Sequence, residues 1–233
     1  MRVTRTTRGA SVRHGRHLVS WLPANPGPTH SVFDVIAAAV AESTATRRPL
    51  AMLGFAAGGT VAPLRALGLS QAVRAVDLDT GPVEAFRSVA AGWAGEVAVT
   101  EADALVWLRR QRSAFGAIVE DLSMAIPGDV TKPPVSYGPL PDLIASRLAP
   151  GGVAVFNLLP VADLSWAKLM GCVCRPFAEA REIRLRDYDN RIVIASRSEL
   201  PSAALLRKRL ESRLDELESR LAGTLAVRRV TAA

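Results

Sequence analysis

The spacing of apolar and polar residues predicts a regular alternation of helices and strands. Val32, Val35, Ile36, Ala39 and Val40 recur at helical intervals and predict a helix over 31–45. From residue 50 short apolar runs alternate with amphipathic segments. Strands are expected at 50–53, 72–76, 96–99, 117–119 and 153–158, with helices at 61–67, 83–91, 104–111, 140–148 and 163–171. Short, nearly continuous apolar strands separated by helices are the pattern of a doubly wound α/β fold with a parallel sheet. Residues 181–196 differ: two alternating runs flank Asp189-Asn190, which predicts a β-hairpin. A final helix is expected from Pro201 to Gly223, with a stripe of Leu206, Leu210, Leu214, Leu217 and Leu221. That stripe suits docking on the same domain or, alternatively, a homodimer seam. The implied organisation is a basic arm at 1–30, a core domain at 31–200, and a C-terminal helix and tail at 201–233.

Composition narrows the function classes. The 233 residues are 49% hydrophobic and 22% charged, a globular balance, and no apolar run approaches the roughly 18 residues that span a bilayer. The net charge of +7 owes much to Arg2, Arg5, Arg8, Arg13 and Arg16, which precede the first acid, Asp34. This segment resembles a transit peptide in composition but lacks a sustained amphipathic face, and reads as a solvated arm or edge strand. Elsewhere basic and acidic residues interleave, so surface solvation is expected and a nucleic-acid or membrane partner is not. Lys132, Lys168 and Lys208 are read with the surface charges. Cys172 and Cys174 suit neither a disulfide nor a zinc knuckle and read as buried thiols in a cytoplasmic protein. With all three histidines before residue 31, no metal site is expected.

The candidate chemistry sits where strands end. Gly54, Gly58 and Gly59 form G-x-x-x-G-G after the first core strand, a loop that lets backbone approach a ligand. Asp77 ends the second strand, where a carboxylate can accept ribose hydroxyls, and Asp79 follows in the turn. Glu101-Ala-Asp103-Ala104 follows the third strand and could pair with adenine through a carboxylate and a backbone N–H. Helix capping is the plain alternative for Asp79 and Asp103. Glu120 and Asp121 end the fourth strand, and two acids there are costly to bury unless they bind something.

Taken in order, Gly54 to Thr60, Val76-Asp77-Leu78-Asp79, Ala102-Asp103-Ala104, Phe115 to Ser123 and Leu148 to Val153 resemble the spermidine synthase-like branch of the class I S-adenosylmethionine-dependent transferases. The resemblance covers roughly residues 48 to 160. It implies an α/β, Rossmann-like class I methyltransferase sheet of five parallel strands plus a terminal antiparallel hairpin, with S-adenosylmethionine as cofactor. Gly54, Gly58, Gly59, Asp77, Asp103, Ala104 and Asp121 would hold that cofactor. Polyamine synthases of this kind carry an aspartate in the glycine loop and a D-x-x-D motif for the amine. This chain has Ala57 at the first place, and Asp121 followed by Met124 at the second. Methyl transfer to a small molecule is therefore the leading expectation. The alternatives are aminopropyl transfer with a rearranged acidic pocket, or a non-catalytic nucleoside- or partner-binding module.

Asp121 is the first candidate base and Glu120 the second. Tyr137 and Met124 are candidates for the acceptor pocket, and His30 for its cover. The plain alternatives are a loop anchor for Tyr137, an N-terminal cap for His30 and a surface ion pair for Glu120. Five prolines between 126 and 141 predict a shaped lid over the site.

Overall fold

The computed structural model describes residues 2–14, 17–43, 47–127 and 129–230. Its centre is β4 (Leu50–Leu53), whose four side chains are all buried. Parallel to it run β5 (Val73–Asp77), β6 (Val97–Glu101), β7 (Phe115–Glu120) and β10 (Leu148–Leu158). The hairpin of β11 (Glu179–Leu185) and β12 (Arg191–Ser196) adds to β10 antiparallel, and β13 (Leu225–Arg229) pairs with β11. The eight-stranded order is β13-β11-β12-β10-β7-β4-β5-β6. Five parallel strands and a terminal antiparallel hairpin are the Rossmann-like sheet that the sequence pattern implies.

Successive side chains of a strand face opposite ways, so each central strand feeds two cores. Leu50, Met52, Ala117 and Val155 pack with α1 (Val32–Ser43), α2 (Val61–Ala66), α3 (Val83–Ala90) and α7 (Ala203–Glu216). Ala51, Leu53, Ile118 and Phe156 pack with α4 (Ala104–Arg110), α5 (Leu140–Arg147) and α6 (Trp166–Cys174). Parallel strands covered on both faces must be apolar throughout, which is why they were legible.

Both ends of the chain carry more structure than expected. Of the two readings of the N-terminal segment, solvated arm or edge strand, its described part follows the second and extends it, as a three-stranded antiparallel sheet of β1 (Arg2–Thr6), β2 (Gly9–His14) and β3 (His17–Pro23) with β1 at the edge. Ala10, Val12 and Leu22 of this sheet are fully buried. The C-terminal helix ends at Glu216 rather than Gly223, with Glu218 and Gly223 at positive φ (56° and 76°). The chain then returns as strand β13, where a tail was expected. The leucine stripe is docked within the chain: Leu206, Leu210 and Leu214 are fully buried in the same core as α1.

One buried carboxylate joins these ends. Asp34, on the first turn of α1, accepts hydrogen bonds from the Thr29 N–H (2.7 Å), the Thr29 hydroxyl (2.6 Å), the His30 N–H (2.8 Å) and the Ser219 hydroxyl (2.6 Å). It thereby satisfies donors ahead of α1 and anchors the turn after α7. The lid region holds a small hairpin, β8 (Met124–Ile126) with β9 (Asp129–Thr131), and a 3-10 turn at Pro134–Ser136. Among the described residues no helix is long and apolar enough to cross a membrane.

Candidate functional site

The carboxyl ends of β4, β5, β7 and β10 open into a cavity of about 570 Å³, inside the range of ~300–1,000 Å³ common for small-molecule sites. Its floor is the glycine loop. Gly54 and Gly58 have φ of +86° and +69°, and Ala56 is also left-handed at +47°. A Cβ on Gly54 would lie 2.6 Å from the Asp121 carbonyl oxygen, so this glycine lets the loop close against the end of β7. A non-glycine residue in this conformation is strained by roughly 1–2 kcal/mol. The strain at Ala56 is held by Asp77, whose Oδ2 accepts from the Phe55 and Ala56 N–H groups at 2.7 and 2.8 Å.

Asp77 lines the cavity with Oδ1 accepting from the Asp79 N–H at 3.0 Å. A carboxylate offers about four acceptor positions, so capacity remains for a ligand hydroxyl. Asp79 also lines the cavity, but its Oδ1 accepts from the Gly81 N–H at 2.9 Å. Asp103 is the N-cap of α4, accepting from the Val106 N–H at 2.9 Å, and neither it nor Ala104 is among the lining residues. The capping alternative thus describes its contacts.

Glu120 and Asp121 are neighbours on one strand end, so their side chains diverge. Glu120 is fully buried, not on the surface, and its carboxylate pairs with Lys132 Nζ at 2.8 Å. The Ser136 hydroxyl donates to it at 2.7 Å and Lys132 also donates to the Leu122 carbonyl. Lys132, read from sequence as a surface charge, is therefore buried, because ion pairing allows what a solitary lysine could not. Its signal was the run Thr131-Lys132-Pro133-Pro134, which ties a charge to a rigid turn.

Asp121 lines the cavity. Asn157 of β10 donates to its Oδ1 at 2.7 Å, and Asn190 donates to Asn157 Oδ1 at 2.8 Å. Burial pushes the Asp121 carboxyl up to about 6, with the charges of Glu120 and Asp77 acting the same way and Lys132 and Asn157 opposing. A carboxyl so poised can take a proton near neutral pH. Tyr188, also on the wall, has its hydroxyl raised by burial and donates to the His30 carbonyl at 3.4 Å.

Three other candidates fall outside this wall. Tyr137 packs on the core beside α4 and α5, an anchor of the proline-rich loop. His30 has φ 54° and its Nδ1 accepts from the Arg220 N–H at 3.4 Å, facing the C-terminal turn. Met124 is 43% exposed on β8. Cys172 and Cys174 are partly buried free thiols, the latter pushed up to about 12 by burial.

Two features have no counterpart in the sequence reading. Ser20 of β3 and Ser31 and Phe33 at the start of α1 roof the cavity, so the N-terminal sheet reaches the site. Beside it lies a second cavity of about 400 Å³, which shares Val130, Leu159, Tyr188 and Asn190 with the first. Asp129, Asp187 and Asp189 line this second cavity together with apolar Ile126 and Pro160.

No protein-family model and no curated protein matches the sequence. Solved structures do match the fold. A probable spermidine synthase from Corynebacterium glutamicum superposes with a TM-score of 0.76 at 17% identity, covering 97% of this chain and 86% of that one. The spermidine synthase from Thermotoga maritima gives 0.64 at 12% identity, covering 92% and 73%. Human methyltransferase-like protein 13, in complex with S-adenosylhomocysteine, gives 0.61 at 18% identity, covering 82% and 92%. The chain shares its Rossmann-like fold with these spermidine synthases and with this methyltransferase-like protein.

Proposed function

We propose that this chain is a transferase that uses an S-adenosylmethionine-type sulfonium donor and a small di- or polyamine acceptor, with aminopropyl as the transferred group. The observation that carries the reading is the paired cavities, with Asp121 on the wall of the first and three aspartates around the second. The resemblance in the ordered motifs and the likeness in fold to a probable spermidine synthase over 97% of the chain support it.

The residues of the larger cavity suit such a donor. Asp77 keeps acceptor capacity for hydroxyls at the β5 side, Phe33 and Leu78 offer apolar surface, and Asp121 offsets positive charge at the β7 side. Bound there, the donor supplies a carbon activated by a positively charged sulfur. Asp121 accepts the proton that an attacking amine must lose, and Asn157 orients its carboxylate. An amine's methylenes fit Ile126 and Pro160, while Asp129, Asp187 and Asp189 face its ammonium groups. The protein's net +7 acts against a cation at long range, but exposed charges beyond about 8–10 Å are screened at physiological salt. The local carboxylates decide. They also supply from β9 and the β11–β12 turn the charge that Met124 does not.

A second reading, methyl transfer, is favoured by one residue. Ala57 is buried in the glycine loop with no carboxylate to hold the amine of a decarboxylated donor. Calorimetric titration with S-adenosylmethionine, S-adenosylhomocysteine, decarboxylated S-adenosylmethionine and methylthioadenosine separates the two. Preference for the last two, with mass spectrometry showing an aminopropyl group added to a diamine, supports the proposal. Preference for the first two establishes the methyl reading, and binding of none sinks both.

A further inference from the structure

We propose that Ser20 is a specificity contact for the polar tail of the donor, which makes the N-terminal sheet part of the donor site. The inference rests on the donor assignment above and concerns a residue outside the motif series that led to it. Ser20 is 1% exposed, lines the larger cavity, and its hydroxyl has no hydrogen-bond partner among the described residues. Buried polar groups in folded proteins are satisfied with few exceptions, and an unpaired one at a cavity wall marks a place where something else completes the bond.

Its position in β3 argues the same way. Strand alternation puts Ser20 on the face of fully buried Leu22, where an apolar residue would pack better. The β2–β3 register shifts just here: Val12 faces Ser20, whereas Arg13 faces Leu18, leaving one extra residue on β3. A bulge of this kind bends a strand and re-aims the side chains beside it. The hydroxyl thus arrives over the glycine loop, where a Cβ on Gly59 would lie 2.9 Å from Ser20 Oγ and 2.9 Å from the Phe33 ring.

That location selects the part of the donor it meets. Asp77 offers its acceptors at the β5 side, for the ribose, and Asp121 faces the β7 side, for the reacting end. Between them, over β4, the loop lines the cavity with Ala56, Gly58, Gly59 and Thr60 and brings no charged side chain. The neighbouring hydroxyl of Ser31 is already engaged with Thr29 Oγ1 at 2.9 Å. Thr60 and Ser123 also line the cavity, but Ser20 is the buried hydroxyl on its wall with no partner among the described residues, and a hydroxyl can accept from an ammonium or donate to a carboxylate on the tail.

The test is calorimetric titration of wild type and Ser20→Ala with S-adenosylmethionine, decarboxylated S-adenosylmethionine and methylthioadenosine, which keeps the nucleoside but lacks the tail. The expected result is roughly a tenfold loss for the preferred tailed donor, the scale of one hydrogen bond to a charged group, with methylthioadenosine unchanged. Thermal unfolding checks the variant, whose midpoint should equal or exceed wild type because an unpaired hydroxyl has been removed. Equal loss for all three compounds, or no loss for any, overturns the role of Ser20 while leaving the donor site standing. Failure of the wild type to bind any of them removes the donor assignment and this inference together.

Discussion

Asp121→Asn separates the role of this carboxylate in the site from its effect on the fold. In the folded protein the carboxyl is held at about 6, against an ordinary 3.8, mainly because burial disfavours its charge. The folded chain therefore keeps a proton that the unfolded chain has released between about pH 4 and pH 6. Where the native state binds more protons, stability falls as pH rises. Over that window the loss is about 3 kcal/mol, from the difference between about 6 and 3.8 at 1.36 kcal/mol per pH unit. Asparagine mimics the protonated form, and its carbonyl can still accept from Asn157. Urea denaturation of the ligand-free proteins should show the variant equal to wild type below pH 4. Its advantage should grow between pH 4 and 6 and level off at about 1–3 kcal/mol above pH 7, with the transition slope unchanged. The same variant should lose group transfer. A difference that does not vary with pH, or a wild type more stable at pH 8, would refute the reasoning that this acid is held against its preferred ionisation.

Lys132→Met leaves the fully buried Glu120 without its cation and should cost about 3–5 kcal/mol in urea denaturation; adding Glu120→Gln should recover much of it. Asp34→Ala strips the acceptor from four donors and should cost at least about 2 kcal/mol, with faster hydrogen exchange at residues 217–224 as the local readout. Gly54→Ala should weaken nucleoside binding by more than tenfold, because its Cβ would meet the Asp121 carbonyl at 2.6 Å and its φ is +86°. Asp187→Asn with Asp189→Asn should raise the Michaelis constant for a diamine and leave donor affinity unchanged, since both face the smaller cavity.

The parts of the fold legible in the sequence are those whose pattern is set by burial on both sides. Leu50-Ala-Met-Leu53 and Phe115-Gly-Ala-Ile-Val-Glu120 could be nothing but covered strands, and the glycines and acids after them marked the strand ends. The N-terminal sheet gives no such signal. All five residues of β1 are exposed, and its Arg-Val-Thr-Arg-Thr pattern is shared with solvated coil. What makes it a strand is β2, which pairs with it, and what holds β2 is a core supplied from elsewhere in the chain. Strand β13 is hidden for a similar reason. Only the ladder from Arg181↔Arg229 to Leu185↔Leu225 distinguishes it from a polar tail.

The candidate site was legible as a set of positions but not as a set of roles, because a carboxylate's neighbours decide its chemistry. Six acids stand at or just beyond the strand ends, and each accepts at least one hydrogen bond from the protein itself. Asp77 holds the Phe55 and Ala56 N–H groups, Asp79 the Gly81 N–H, Glu101 the Thr80 hydroxyl, Asp103 the Val106 N–H, and Glu120 both Lys132 and Ser136. Each of these partners is a local donor or one delivered by a loop whose path the sequence does not disclose. Asp121 is the sixth. One of its oxygens takes a hydrogen bond from Asn157 and the other takes none from the described residues. It faces the cavity with its carboxyl held near neutrality. Aspartate and asparagine meet there from β7 and β10, 36 residues apart, so the motif series that made Asp121 the first candidate carried no sign of the contact that orients it. What the structure adds is place: Glu101, Asp103 and Glu120 do not line the cavity, Asp77 and Asp79 line it while bracing the turns beside β4 and β5, and Asp121 lines it with its carboxyl pushed up to about 6.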